Sequence, residues 1–449
     1  MAQRLSKPWA FSVLLVLTIS GCQAGQPAAP TVGVPLSGPS TSDAPVVTAP
    51  PASRVDLAEP VFSDPTTITN RLFPITAVTQ AVQLGTEGDV RLRHEITLLP
   101  ETKRITWNGQ EVETIVSQFV AYADGRLLEV AYDFFAQSDD GSVWYFGEDV
   151  FNYEEGEIAN RDGTWLAGRD GPPGMIMPAD PRAGDVYRPE NIPGLVFEEV
   201  TVIEVNQTVD GPRGPVPGAI AVREVLMDGV IEDKVFAEGY GEFMAFVASE
   251  DERVTVAVAT PTDMVPTAGP IELEALITGA RGLFAAASAA EPATMQATVD
   301  IMTAAWDTIT SSGPPELLAA EMEAALGAAR LASSAGDLAA ARQAAIDTLA
   351  AANDLSNQHD AAIPADVGRL EAAALQLVVD ADAHDRAALA GGIAIVQAIW
   401  ERVGYTVDDS AATSFEMALD DLIASAETRS SVEAAVAMLA ATRRAASSY

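Results

Sequence analysis

The sequence predicts an α+β multidomain protein: an N-terminal antiparallel β domain, built as a meander that can curl into a half-barrel, then an all-α domain of helical hairpins. Three observations carry this. Val90, Leu92, Ile96 and Leu98 alternate with Arg91, Arg93, Glu95 and Thr97, the period of two of a half-buried strand, with His94 on the apolar side. Turn pairs then recur at Asn108-Gly109, Asp124-Gly125, Asp140-Gly141 and Glu155-Gly156, supplying the positive φ that tight hairpins need. From residue 268 onward those pairs vanish and alanine dominates.

Taken in order, residues 1–21 read as a secretory signal. Arg4 and Lys7 form a basic start, Trp9 to Ile19 an apolar run too short for a membrane span, and Ser20-Gly21 a small-residue end. Ile19-Ser20-Gly21-Cys22 resembles the bacterial lipoprotein lipobox. That resemblance implies acylation of Cys22, cleavage before it, and stable anchoring by two or more acyl chains. Cys22 is the only cysteine of the chain, which excludes internal disulfides. Residues 22–59, rich in Pro, Ala, Ser and Thr without hydrophobic period, read as a tether. The resemblance therefore implies an extracytoplasmic protein, lipid-anchored to a bacterial membrane (outer membrane or cell surface). Gln23 after Cys22 permits outer-membrane delivery under the sorting rules of that family.

Residues 60–264 form the β-rich domain. Its meander covers 104–160, and further strands are expected at 198–209, 219–228, 231–238 and 242–258, separated by loops such as Gly171-Pro-Pro-Gly and Asp210-Gly-Pro-Arg-Gly-Pro. Residues 268–449 form the Ala-rich helical domain of about four hairpins. Helix starts are marked by Pro270, Pro292, Pro314-Pro315, Asp337 and Pro364. Val299–Trp306 aligns with Ile346–Asn353, Ile393–Trp400 and Val436–Arg443, at offsets of 47, 47 and 43. One amphipathic hairpin cannot bury its own apolar face, so these units should stack or pair into bundles.

Several short segments over 68–246 resemble an uncharacterised β-rich domain of secreted bacterial proteins and lipoproteins. They are Asn70–Ile75, Tyr132–Gln137, Asp140–Glu148, Gly163–Gly168, Gly174–Pro181, Ala183–Tyr187 and Phe236–Gly241. The resemblance implies a β fold and an extracytoplasmic location, and carries no activity.

The chain has 64 acidic residues against 26 Lys and Arg, a net charge of −38. Only three of the basic residues are lysines. Such a balance argues against a nucleic-acid partner. The excess is spread over both halves, −22 for 1–266 and −16 for 267–449, a composition similar to that of proteins adapted to salt. No Gly-x-Ser-x-Gly, His-Glu-x-x-His or phosphate loop occurs.

The best candidate site is the acidic and aromatic meander. Asp133, Asp139, Asp140 and Glu148 could hold Ca²⁺ through carboxylate oxygens, and Tyr132, Trp144 and Tyr145 could contact a ligand or partner. Otherwise Asp139 and Asp140 are turn residues, with Trp144 and Phe146 in the core and Tyr145 outside. His359-Asp360 and His384-Asp385 could meet as a metal site, or cap helices. No other cofactor is expected. The functional expectation is a membrane-anchored, non-enzymatic binding or scaffold protein of the cell envelope, with an envelope protein partner on the helical domain. The alternatives are a carrier of a lipid or apolar ligand in a β half-barrel, and an extracytoplasmic hydrolase using the meander carboxylates.

Overall fold

The computed structural model describes residues 48–359, 364–426 and 431–449. The expected signal peptide, Cys22, most of the expected tether and Asp360 lie outside the described residues. The chain forms an antiparallel β sheet and then eight helices, an α+β architecture. The strands are β1 (Gln80–Glu87), β2 (Val90–Trp107), β3 (Gln110–Ala123), β4 (Arg126–Gln137), β5 (Val143–Glu154), β6 (Glu157–Asn160), β7 (Trp165–Leu166), β8 (Gly174–Met177), β9 (Val186–Tyr187), β10 (Asn191–Ile192), β11 (Val196–Gly211), β12 (Gly214–Leu226), β13 (Ile231–Ala237), β14 (Gly241–Val247) and β15 (Glu252–Thr260). Their order across the sheet is β10-β11-β12-β13-β14-β15-β1-β2-β3-β4-β5-β6, with β7 and β8 on β5 and β9 on β11.

The hairpins follow their turn chemistry. Asn108-Gly109, Asp124-Gly125 and Glu155-Gly156 each place two successive residues at positive φ, the two-residue turn whose twist matches the strands. Asp140-Gly141 differs: only the glycine is left-handed, inside the wider Ser138–Ser142 loop. The expected loop at Asp210-Gly-Pro-Arg-Gly-Pro is instead a hairpin tip, and Pro215 and Pro217 sit inside β12. Proline is tolerated there because β13 pairs with β12 only from Ile220 onward, leaving that stretch an edge. The expected strand 242–258 is two strands, β14 and β15, separated by a turn.

The sheet is not closed but curls strongly. One core cluster joins Ile115, Phe134, Tyr145 and Trp165 to Val200, Ile220, Val222 and Phe236, strands far apart in the sheet order. Close approach at the seam requires glycine: a Cβ on Gly174 of β8 would lie 1.8 Å from the Pro189 carbonyl oxygen. The concave side is therefore enclosed by the sheet itself.

The helices are α1 (Ile271–Ser288), α2 (Pro292–Thr310), α3 (Glu316–Ala335), α4 (Leu338–Ser356), α5 (Ala365–Ala383), α6 (Arg386–Val403), α7 (Asp409–Ser425) and α8 (Ser431–Ala446). Asp337, Asp385 and Asp408 cap α4, α6 and α7 by accepting backbone N–H groups. No described helix is long and apolar enough to cross a membrane. The hairpins pair into two four-helix units, α1–α4 and α5–α8, each with its own core. Equivalent helices begin 94, 94, 93 and 93 residues apart. Buried Leu276, Leu283, Val299, Met302 and Ile309 match buried Leu370, Leu377, Ile393, Val396 and Val403, each 94 residues on. The 47-residue spacing in the sequence is thus half of a duplicated bundle. Glu371 of α5, fully buried, accepts hydrogen bonds from Arg281 of α1 and Arg443 of α8 and ties the two bundles together.

Both bundles pack on the convex face of the sheet. Val82, Leu84 and Val258 share the core of α1–α4. This corrects the half-buried reading of 90–98: the face carrying Arg93 and Glu95 is covered by helices, so both faces of β2 are enclosed. A buried ion network fastens the contact. Arg93 binds Asp354 of α4 with two nitrogens, 2.6 and 3.0 Å. Arg369 of α5 reaches Asp354 at 2.7 Å and Asp366 at 2.7 Å. Arg402 of α6 donates to Glu95 at 2.6 Å and to Gln118 at 2.5 Å. Three arginines thus meet three carboxylates. Burial raises Glu95, but Arg93, Arg402 and Arg369 outweigh it and hold the carboxyl well below its usual range.

Candidate functional site

The concave side of the curled sheet encloses a cavity of about 150 Å³. Its walls come from alternate positions of the strands, as the pleat requires. β2 contributes His94 and Ile96; β3, Ser117 and Phe119; β4, Glu129, Asp133 and Phe135; and β5, Tyr145. The opposite wall carries Glu198, Glu224, Glu232, Lys234, Phe236, Glu242 and Glu252 from β11 to β15. Phe73-Pro74-Ile75, in the segment before β1, also lines it. That segment is held where the chain passes β4 and β13: Thr69 and Asn70 donate backbone N–H groups to Gln137, and Arg71 pairs with Glu238.

Seven carboxyl groups line this space and one ammonium answers them. Lys234, one of the three lysines of the chain, lies 2.8 Å from Glu224, 3.4 Å from Glu232 and 3.5 Å from Glu242. Burial pulls its ammonium down, but these three carboxylates outweigh burial and hold it charged well above its usual value. The other acids lack such a partner. Burial, with the charge of Asp133 added, pushes Glu129 up to about 8. Burial pushes Asp133 up to about 7, against a hydrogen bond from Tyr145 Oη at 2.8 Å and with Glu242 adding to it from the facing wall. Burial pushes Glu252 to about 7, and it pushes Glu232 to about 8 even though Lys234 lies 3.4 Å away and opposes the shift. It raises Glu198 well above the carboxylate range, Glu190 and Glu224 adding to it. His94 is pulled down to about 4 by burial and is neutral at ordinary pH.

Apart from Glu224 Oε2 and Glu232 Oε2, which face the Lys234 ammonium, four polar atoms of the wall have no partner among the described residues: Glu198 Oε1, Glu252 Oε2, Ser117 Oγ and His94 Nε2. Their residues are between 0 and 7 % exposed. A buried polar group left unpaired costs about 1–3 kcal/mol.

The meander residues singled out from sequence separate into three places. Asp133 and Glu148 are register partners across β4 and β5, Asp133 on the cavity and Glu148 buried beside Glu190. Burial raises both, Glu148 further through Glu190 and Asp133. Asp139 and Asp140 lie beyond the end of β4. Asp139 accepts from Ser63 N and Oγ, and Asp140 from Ser138 and Ser142. The four do not converge, because the extended strand carries the turn away from Asp133 by about 3.3 Å per residue. Among the described residues no group of three His, Cys, Asp or Glu is placed to hold a metal ion.

Tyr132 faces the helices and donates to Glu401 at 2.6 Å. Trp144 is core, its Nε1 donating to Ser142 Oγ at 2.9 Å. Tyr145, expected outside if Trp144 and Phe146 were core, is buried on the cavity, stacked 4.9 Å from Phe135. Trp144 and Tyr145 are buried on β5, whose edge is paired by β7 and β8, while Tyr132 of β4 is only half-buried against α6. His359 and His384 flank α5, about 28 Å long at 1.5 Å per residue, so they do not meet; His384 takes the left-handed C-cap of α5.

Sequence reading missed the wall formed by β11–β15. Its signal was present in Glu232, Lys234 and Phe236, a charge pair and an aromatic on one side of a single strand. All seven short segments of the β-domain resemblance lie on this cavity or against its wall. Phe73, Asp133, Tyr145, Ile176 and Tyr240 line it directly; Trp165 packs on Tyr145 and donates to Glu190, and Tyr187 is buried near Glu224. No protein-family profile, curated protein or solved structure matches this chain.

Proposed function

We propose that this chain is a lipid-anchored binding protein of the bacterial cell envelope that carries a small ligand inside its β half-barrel. The observation that carries the reading is the cavity on the concave face with four buried polar atoms left unpartnered. The helical domain braces the convex face in this view, so a protein partner on the helices is a secondary role. The hydrolase reading has less support: Asp133 and Glu148 are both driven toward the neutral acid, whereas acid–base pairs need environments that push two carboxyls apart. The anchor rests on the lipobox resemblance at Cys22.

The test uses the full chain carrying Cys22→Ser, which should leave the membrane fraction. Extracts of the purified protein should then contain a bound small molecule by mass spectrometry, and Ala245→Trp, which fills the cavity, should remove it. Clean extracts, together with no melting shift across a small-molecule panel, would overturn the ligand reading. A Cys22→Ser chain that stays in the membrane fraction would overturn the anchor.

A further inference from the structure

Resting on that binding reading, we infer that the cavity selects a small organic ammonium ion that keeps at least one N–H donor and carries a short apolar body. Charge comes first. Seven carboxyls and one lysine line the space, and Lys234 is already taken by Glu224, Glu232 and Glu242. Glu129, Asp133, Glu198 and Glu252 have no cation of their own in the wall. An anion would find the one ammonium already paired and would oppose ionisation of these acids, and a neutral apolar ligand would leave the buried acceptors dry and unpaired.

The donor follows from the orphan atoms. Glu198 Oε1 and Glu252 Oε2 are acceptors at neutral pH once ionised, and both are buried without a donor. A primary or secondary ammonium offers N–H groups to such atoms, and charge-assisted bonds of that kind are about twice as strong as neutral ones. A quaternary ammonium matches the charge but leaves the acceptors unpaired.

The apolar body follows from the remaining wall. Phe73, Phe119, Phe135, Phe236 and Tyr240 supply ring faces and edges for an apolar group and its attached cation. A cavity near 150 Å³ takes a body of about the size of benzene. The absence of a three-residue ligating group among the described residues makes a bare metal ion a poorer fit.

Calorimetry and melting of the full chain carrying Cys22→Ser, at pH 7, test this with matched probes: 2-phenylethylamine, 2-phenylethanol, 3-phenylpropionate and choline. The amine should bind and raise the melting temperature. The alcohol and choline should bind about tenfold or more weakly, as expected for loss of a hydrogen bond to a charged group, and the carboxylate should not bind. Amine binding should release protons to the buffer, because the ammonium ionises carboxyls that burial holds neutral. Glu252→Gln, which removes one of the two donor-less carboxylates and leaves the partners of Lys234 intact, should weaken the amine about tenfold and leave the alcohol unchanged. An alcohol or carboxylate that binds as well as the amine overturns the charge inference and leaves the binding reading standing. Failure of all four probes, together with clean extracts, overturns both.

Discussion

On the convex face of the sheet Glu95 meets three arginines, while on the concave face of the same strands Asp133 and Glu129 face Glu242 and Glu232 across a cavity with a single lysine. The two regions share strands β2, β3 and β4, and Glu95 and Asp133 are alike buried. Between those two carboxyls it is partnering that differs. Where fixed guanidinium groups surround a carboxyl, it ionises below its ordinary range; where carboxyls face one another, burial keeps them neutral. The convex charges are satisfied within the chain and so serve docking. The concave ones are not, and that difference underlies the proposed ligand.

The strongest way to break this contrast is to unpair the convex face. Arg402, 1 % exposed in its side chain, holds Glu95 and Gln118. Arg402→Met should cost about 3–5 kcal/mol in chemical denaturation, because it leaves a buried carboxylate short of its partner. Sheet and helices should still unfold in one transition, since they share a core. A loss below about 1 kcal/mol would show that the network is not what holds the faces together.

A smaller effect should appear in pH profiles, with opposite signs for the two faces. Glu95 and Asp354 are lowered in the folded protein. Their stabilisation is complete above the ordinary carboxylate range, about 4, and is lost as the pH falls through their folded values. Glu129, Glu232 and Asp133 are raised, to about 8, 8 and 7. The folded protein binds more protons than the unfolded chain between about pH 4 and 8, so their contribution declines as the pH rises through that window. Melting of the ligand-free protein should therefore peak on the acid side of neutrality. Glu232→Gln should flatten the alkaline decline, adding on the order of 1 kcal/mol at pH 9 and little at pH 5. An alkaline limb unchanged by this substitution would count against burial outweighing the nearby Lys234 at this carboxyl.

The smallest expected change sets the baseline. Arg91 and Asp124 stand 3.7 Å apart with both side chains more than half exposed. Arg91→Ala should shift stability by no more than about 0.5 kcal/mol. A larger loss would mean that exposure, and not partnering, has been misjudged as the variable that matters.

Much of the architecture was legible in the sequence because it depends on local signals. The Asx-Gly pairs place positive φ, the alternation at 90–98 marks a strand, and proline and aspartate mark helix starts. What was not legible depends on curvature. Nothing local to Glu198 or Glu252 says that the sheet bends until β11 faces β4, so their carboxyls read as solvent-facing. The same is true of Glu95: its alternation with apolar neighbours marks a polar face, and only the docked helices make that face interior. Asp133 and Glu148 were legible as neighbours because they lie on one hairpin. Asp139 and Asp140 belonged to the turn, where short polar side chains serve their own backbone.

The duplicated bundle carries one more consequence. Counting 94 residues back from Asp366, Arg369 and Arg402 gives Glu272, Ala275 and Thr308, and counting 93 forward from Asp354 gives Ser447. The apolar positions of the copies correspond, and an acid stands at 272 as at 366, while Asp354, Arg369 and Arg402 each exist in one copy alone. The copies are therefore interchangeable as scaffolds but not as neighbours of the sheet. Their order along the chain is fixed by these three side chains, so exchanging the bundles would preserve every core and still misplace the locks.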